Sequence, residues 1–387
     1  MKTLAFAFSL LCAGYALAGE PDGAADGVLL EVAGEVWRLP LDGEAWAPAA
    51  AGTALAAGDS IRTGKKSRAR VRIGTNIDLR LGPNAELQIE EPESGEQPVP
   101  MVSLLLGWLQ ATVSHAPGEK VPFEVHTGNA VAGVRGTEFV VAAGLDGLTR
   151  AEVLSGEVAF AAEETEVAVG AGYASEATEG AAPLAPGAAK TSDWEAWQEE
   201  REGRARERAE EMAASFTSRV DELAGRLDGL RKAESRQREK IRWLIAKLSQ
   251  ARRANQPRVA EKARERLLDL MAQQLRLHKE LRRAAVRLSG FIRRLVRLEE
   301  AIAGAGGEKA AEALAAHPRL ASALRWLRTK DATGKDPDRL RALERERRET
   351  LRQMAAFRAM FREAGFTRAD LREARERLRR LRGDQRP

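Results

Sequence analysis

The sequence has one cysteine, four histidines and few aromatic residues, and these shortages exclude several classes of protein. Cys12 lies within the first eighteen residues, so loss of that segment would leave no thiol for disulfides, thiolate catalysis or a cysteine zinc site. The histidines, at positions 115, 126, 278 and 317, have no metal-ligand spacing. The sequence also lacks a P-loop, a G-x-S-x-G elbow and a dinucleotide fingerprint. We therefore expect no enzymatic activity, no metal and no cofactor.

Long apolar stretches are missing as well, apart from one at the N-terminus. Lys2 precedes an apolar run over residues 4–13, and Ala16-Leu17-Ala18 places small residues where a signal peptidase reads them. This pattern predicts a signal peptide over residues 1–18 and export to the periplasm or cell envelope. A membrane anchor is the alternative, but the run is shorter than the ~20 residues that span a bilayer. A lipid on Cys12 is disfavoured because Leu11, which is not small, precedes it.

Charge is distributed unevenly along the chain. Residues 19–190 contain 25 acidic and 12 basic side chains, whereas residues 191–387 contain 32 acidic and 49 basic ones. The two parts therefore carry −13 and +17, although the whole chain carries only +5. This asymmetry predicts an electrostatic partner for each half, or contact between the two halves.

The first half has the pattern of a β-protein. Between residues 28 and 175, apolar residues alternate at period two in short runs, as in Ala69, Val71 and Ile73, and turn residues such as Gly74-Thr75-Asn76 separate the runs. Short alternating strands with a turn about every ten residues indicate an all-β domain with one face buried. We place this domain at residues 19–182.

Two motifs in this half resemble the FecR family. Residues 58–63 read GDSIRT, similar to the family's GD-x-I-x-T, and residues 123–141 read FEVHTGNAVAGVRGTEFVV, similar to its F-x-V-x-T-x-x-A-x-A-x-V-R-G-T-x-F-x-V. The resemblance covers roughly residues 30–180 and implies a periplasmic β-rich domain, coiled as a short solenoid or roll. The best-known members have a cytoplasmic anti-sigma segment and a membrane helix before this domain. Here the predicted leader stands in that place, so the resemblance carries over the domain and not the signalling role.

The candidate site residues are those of the FecR signature, with either structural or binding roles: Gly58, Asp59, Thr63, Thr127, Arg135, Gly136, Thr137 and Phe139. The glycines suit tight passage of the backbone, the threonines suit turn hydrogen bonds, and Phe139 suits the core. Arg135 could bind a carboxylate or phosphate, because its planar fork matches such ligands. The favoured interpretation is an internal ion pair with Glu138 or Asp59.

The second half has the pattern of a coiled coil or helical bundle. A linker is expected at residues 183–192, and two heptad registers follow over residues 193–303, with a break at Asn255-Gln256-Pro257. Glu234, Gln237 and Gln274 interrupt the apolar positions. The break is compatible with an antiparallel hairpin within the chain, which its shortness favours, or with a kinked rod in a homodimer.

Residues 304–387 are expected to form short helices and a basic C-terminal helix capped by Thr367. Its arginines, above all Arg377, Arg379 and Arg380, are a possible anion contact, and the alternative is that they are solvated partners of glutamates. In a cytoplasmic protein this charge would suggest nucleic acid, but the export signal argues against that partner. Lipid head groups, wall polymers or the acidic half of the chain are the anions that remain.

The sequence thus favours a non-enzymatic envelope scaffold or adaptor, whose β-domain binds a protein or glycan and whose helices space or assemble it. A periplasmic sensor component of a FecR-type surface-signalling pathway is one alternative. A peptidoglycan-associated binding module is the other.

Overall fold

The computed structural model of the chain describes residues 27–43, 45–93, 99–114, 121–190, 193–304, 308–329 and 339–367, together with six positions from 369 to 377. The predicted leader with Cys12, and residues 378–387, lie outside this part.

Short alternating runs fold into strands because their apolar side chains all point to one side. The described part of the chain contains seventeen strands: β1 Gly27–Ala33, β2 Val36–Leu39, β3 Ala47–Pro48, β4 Ala54–Leu55, β5 Ser60–Thr63, β6 Arg68–Ile73, β7 Ile77–Leu81, β8 Glu86–Glu93, β9 Val99–Val113, β10 Pro122–His126, β11 Val131–Arg135, β12 Glu138–Ala143, β13 Thr149–Ser155, β14 Glu157–Ala162, β15 Thr165–Gly170, β16 Tyr173–Ala177 and β17 Gly187–Ala188. We call residues 27–188 the β-unit.

The strands form two sheets that share β9. One sheet has the order β4-β1-β6-β7-β9-β12-β13-β16-β17. The other has the order β3-β2-β5-β8-β9-β10-β11-β14-β15, in which only the pair of β9 and β10 is parallel. Apolar residues from both sheets make one core, in which Phe123 packs against Phe139 with ring centroids 6.5 Å apart. The β-unit is therefore a roll of mostly antiparallel strands.

Strand β9 passes from one sheet to the other at Gly107. Residues before this glycine pair with β8 and β10, and residues after it pair with β7 and β12. Gly107 has φ +83°, and a Cβ there would lie 2.6 Å from the Cα of Ala85. Only glycine fits, because the turn needs a positive φ and the neighbouring backbone leaves no room.

Helices make up the second half of the chain. The described residues contain α1 Trp194–Glu207, α2 Ala209–Ala214, α3 Phe216–Arg253, α4 Pro257–Ala303, α5 Glu308–Ala315, α6 Pro318–Arg328 and α7 Arg339–Glu363. Asp193 caps α1 by accepting hydrogen bonds from the backbone N–H groups of Glu195 and Ala196. None of these helices is both long enough and apolar enough to cross a membrane.

Helices α3 and α4 form an antiparallel hairpin within the chain, which answers the choice that the sequence left open. Ala254, Asn255 and Gln256 connect them, Asn255 has φ +50°, and α4 starts at Pro257, where a missing N–H costs nothing. The predicted register residues are buried or half-buried along the hairpin: Val220, Leu223, Leu227, Leu230, Ile241, Leu244, Leu248, Leu267, Leu270, Leu277, Leu281, Ala284, Leu288, Phe291, Leu295, Leu298 and Ile302. The heptad pattern therefore identified the sides on which the two helices are buried.

The segment 183–192, predicted as a linker, is attached to the β-unit in its described part. Leu184 donates a backbone hydrogen bond to Glu176, and β17 pairs with β16. Proline and glycine make this segment irregular, but its backbone groups still find partners at the sheet edge.

Candidate binding site between the sheet and the helices

Asp59 of the FecR signature organises the first turns of the β-unit. Its buried carboxylate accepts hydrogen bonds from the backbone N–H groups of Leu41 and Ala56, at 3.1 and 2.9 Å. It also pairs with Arg38 on β2, whose Nη2 lies 2.7 Å away. The preceding Gly58 has φ +91° and leaves no space for a Cβ beside the Leu41 side chain. These two residues hold backbone in place and have little surface left for a ligand.

The signature threonines hold turns in the same way. Thr63 Oγ1 donates to the carbonyl of Gly82 at 2.7 Å and accepts from the N–H of Ala85 at 2.8 Å. Thr127 Oγ1 accepts from the N–H of Ala130 at 3.0 Å and contacts Thr149 Oγ1 at the same distance. All these atoms are buried, so the threonines replace backbone partners that the turns lack.

The second half of the signature also serves the fold. Thr137 Oγ1 donates to the carbonyl of Glu157 at 3.1 Å, Gly136 has φ +82°, and Phe139 is fully buried in the core. The backbone of Arg135 ends β11, but its side chain lies outside the described part, so its proposed ion pair stays a prediction.

Helix α4 packs on the outer face of β8 and β9 through matched charges. On β8, Glu86 and Glu90 point away from the core and would face solvent if the sheet stood alone. On α4, Arg293 Nε lies 3.0 Å from Glu86 Oε1, and Arg282 Nε lies 3.7 Å from Glu90 Oε2. All four side chains are buried or nearly so. The three helical turns between the two arginines align with the four-residue spacing of the two glutamates.

Further ion pairs join the acidic β-unit to the basic helices. Examples are Arg287 with Glu163 at 3.0 Å, Arg201 with Asp146 at 3.3 Å, and Arg352 on α7 with Asp42 at 2.8 Å. Leu106 and Leu145 of the β-unit also belong to an apolar cluster that is otherwise helical. The opposite charges of the two halves therefore meet within one molecule.

The clefts between the described parts of the β-unit and the helices include two that are much larger than a single water molecule. The larger, of about 370 Å³, lies over Phe291. Its arginines already have carboxylate partners: Arg219 and Arg294 share Glu179, at 2.9 and 3.5 Å, and Arg208 pairs with Glu211 at 2.9 Å. Burial lowers the pKa of Arg294, which Glu179 partly offsets. We therefore regard this cleft as a contact between the β-unit and the helices that ion pairs stabilise.

The smaller cleft, of about 270 Å³, is the better candidate for binding. Residues of the β-unit and of α4 line it: Glu35, Trp37, Arg62, Thr63, Gly64, Lys65, Asn84, Glu86, Leu106, Arg293, Val296, Arg297 and Glu300. The guanidinium of Arg62 lies over the rings of Trp37 and Trp46, with centroid distances of 5.4 and 4.7 Å. Neither Arg62 nor Lys65 has an ion pair with a described residue. The cleft thus offers a half-exposed aromatic ring beside two cations, Arg62 and Lys65, that pair with no carboxylate in the described part of the chain.

Sequence reasoning did not identify this cleft. Its residues come from β2, β5, β8, β9, the adjoining turns and α4, and these segments are more than 200 positions apart at the extremes. Trp37 and Arg62 do point away from the core at their strand positions, which is a weak signal at best. Among the signature residues whose side chains are described, Thr63 alone lines it.

A buried polar layer interrupts the hairpin where Glu234 and Gln274 break the heptads. Glu234 Oε1 accepts hydrogen bonds from Gln274 Nε2 at 3.1 Å and Arg238 Nη2 at 2.7 Å. Gln274 Nε2 lies 2.8 Å from His278 Nε2, and the His278 ring packs edge-on against Phe357 of α7. Burial alone would raise the pKa of Glu234, but the bonds from His278 and Arg238 lower it below its usual value. Such a layer fixes the register of neighbouring helices.

The other residues that the sequence singled out are His126 of the β-unit and three arginines near the C-terminus. His126 lies 2.7 Å from Glu124, whose pKa this bond keeps low against the effect of burial. Within the described residues, no three His, Cys, Asp or Glu side chains are grouped to hold a metal. Arg377 pairs with Asp269 at 2.5 Å and Glu373 at 2.8 Å, and Arg379 and Arg380 lie outside the described part. The anion contact of this helix stays a prediction.

Comparison with known proteins confirms the family resemblance. Residues 59–159 match the family model described as FecR protein. Two crystal structures of a "putative anti-sigma factor" from Parabacteroides distasonis ATCC 8503 are similar to part of the chain, each with 18% identity and a TM-score of 0.31. Each alignment covers 36% of this chain and 63% of the other, so the chain spans less than two thirds of those proteins. No curated protein matches.

Proposed function

We propose that this protein, which carries a FecR domain matched over residues 59–159, is a non-enzymatic scaffold or adaptor of the cell envelope. It would be exported by the predicted signal peptide and would need no cofactor. In this proposal the β-unit and the docked helices act as one body that holds an envelope partner. Homodimer formation stays a prediction of the sequence.

The observation that carries the proposal is the smaller cleft between the β-unit and α4. An aromatic ring beside cations that have no carboxylate partner among the described residues suits a partner with ring-shaped or apolar groups and carboxylates, because the ring supplies contact area and the cations bind the acid groups. Wall glycan with its acidic peptides has this chemistry, and so does an acidic protein segment. The ion pairs under α4 keep the two walls of the cleft at a fixed distance.

The proposal is tested by co-sedimentation of the mature full chain with purified wall sacculi at low salt. We expect binding that Lys65→Glu reduces about five- to tenfold, because reversal of one charge in the cleft removes an attraction and adds a repulsion. Lys66→Glu is the matched control, since Lys66 is the exposed neighbour outside the cleft lining. If the unchanged chain stays in the supernatant, a wall partner is excluded. If both variants bind alike, the cleft is not the site.

A second candidate function is a periplasmic sensor component in a FecR-type surface-signalling pathway. The FecR match at residues 59–159 favours it. The two functions differ in their consequence for transcription. Deletion of the gene should alter the activity of a sigma factor if the protein is a sensor, whereas an adaptor should leave transcription unchanged and alter envelope composition.

A further inference from the structure

The cations of the helices fall into two groups. Near the β-unit, arginines such as Arg282, Arg287 and Arg293 face carboxylates. At the end of the hairpin where α3 and α4 are joined, most basic side chains have no such carboxylate partner in the described part of the chain. Residues 236–262 contain nine basic and two acidic side chains, and among the basic ones only Arg238 has an ion pair within the described part of the chain. This segment therefore carries a net charge of +7, from nine basic and two acidic side chains.

These cations surround an exposed tryptophan on α3. Arg236, Lys240, Trp243 and Lys247 follow a spacing of 4, 3 and 4 residues, which places them on one side of the helix. All four are exposed, and Trp243 has 60% of its surface accessible, an unusual value for so large an apolar ring. Lys247 Nζ lies 5.0 Å from the ring centroid. We call these four residues the Trp243 face.

The turn between α3 and α4 also combines exposed cations with an exposed apolar side chain. Arg252, Arg253 and Arg258 are exposed beside Val259, which is 39% accessible. The acidic residues of this end are Glu239, at the flank of the Trp243 face, and Glu261, beyond the turn. Behind the face, Ile241, Leu244 and Leu248 are buried in the cluster with α4 and α7, so the surface is held by a packed core.

We propose that the Trp243 face binds the surface of an anionic phospholipid bilayer, as a peripheral contact. Each lysine or arginine near such a surface increases partitioning to the membrane about fivefold. The long apolar stems of these side chains let their charged ends reach the lipid phosphates. Tryptophan prefers the boundary between head groups and acyl chains, because its ring is apolar and its N–H is polar. A soluble polyanion would use the cations but would have no need of an exposed ring. The proposal is independent of the cleft between the sheet and the helices.

The test measures co-flotation of the mature full chain with vesicles. One set contains phosphatidylglycerol and phosphatidylethanolamine, and the other contains phosphatidylcholine alone. We expect binding to the anionic set that decreases with salt, and little binding to the neutral set. Changing Arg236, Lys240 and Lys247 together to Gln should weaken binding on the order of a hundredfold, from three losses of about fivefold each. Trp243→Ala should also weaken binding to the anionic vesicles. Its effect should persist at high salt, because salt screens the charges but not the apolar contact of the ring.

The matched control changes three exposed arginines away from this face, Arg226, Arg283 and Arg325, to Gln. This variant loses the same charge and should bind like the unchanged chain. Equal loss in both triple variants would overturn the proposal, because binding would then follow net charge only. It would also be overturned by equal binding to both vesicle sets, or by binding to a soluble polyanion such as heparin without binding to anionic vesicles. Circular dichroism of each variant separates lost binding from lost helix.

Discussion

At the scale of single residues, four polar residues of the signature stabilise turns of the β-unit. Asp59, Thr63, Thr127 and Thr137 each direct buried side-chain oxygens at backbone groups of a turn. A β-unit built from many short strands has many turns, and backbone groups inside it that find no strand partner need another. The signature therefore marks places where a side chain substitutes for a missing backbone hydrogen bond.

Asp59→Ala is expected to destabilise the protein by about 3 kcal/mol. The change leaves the N–H groups of Leu41 and Ala56 without an acceptor and Arg38 without its carboxylate. Urea unfolding measures the loss, and amide hydrogen exchange should become faster at Leu41 and Ala56.

Asp42→Ala is the matched control for this prediction. Asp42 also pairs with an arginine, Arg352, but its side chain is 83% exposed, so the cost should stay within about 0.5 kcal/mol. Similar losses in the two variants would contradict the structural role assigned to Asp59.

At the scale of elements, β9 and α4 define the centre of the molecule. Residues 101–106 of β9 are buried on both faces, by the core on one side and by α4 on the other. This explains why the strand lacks the alternation of its neighbours: five of these six residues are apolar, because a strand that is covered on both faces buries both sets of side chains. Gly290 of α4 faces Gly128 and the carbonyl of Leu105, so helix and sheet approach closely there.

Substitution of Gly290 tests this approach. A Cβ at Gly290 would lie 3.7 Å from the Cα of Gly128, an ordinary contact, so Gly290→Ala should fit. It should even stabilise the protein by up to about 1 kcal/mol, because alanine favours helix over glycine. Gly290→Leu should lower the melting temperature, because a larger side chain must push α4 away from β9. A melting temperature that falls equally in both variants would show that the helix tolerates no side chain there.

At the scale of the whole molecule, the acidic β-unit and the basic helices stabilise each other through ion pairs and shared apolar contacts. Without the helices, Glu86 and Glu90 would lose their arginines, and Leu106 and Leu145 would lose their apolar neighbours. The total charge of +5 thus results from two large and opposite contributions that meet at an interface.

Residues 19–190 produced alone are therefore expected to be less stable than within the full chain. Exposed apolar surface should cause self-association and binding of a hydrophobic dye, which size-exclusion chromatography and fluorescence detect. The full chain at equal concentration is the control. A monomeric fragment with an unchanged unfolding midpoint would show that the helices do not support the β-unit.

The sequence by itself determined the two-part architecture, the resemblance of the first part to the FecR family and the buried sides of the long helices. These features depend on local periodicity and on turn residues at fixed spacing, which a chain carries wherever it folds. The break at Pro257 was equally local, since proline cannot continue a helix from the residue before it.

Tertiary structure alone decided which of those elements pack against each other. It showed that α3 and α4 pair within the chain, that β9 joins the two sheets, and that Glu86 and Glu90 lie beneath α4 rather than in water. It also brought Trp37, Arg62 and Arg293 to one cleft. Alternation identifies the face of a strand that meets the core but not what covers the other face, because that depends on contacts between residues some 200 positions apart.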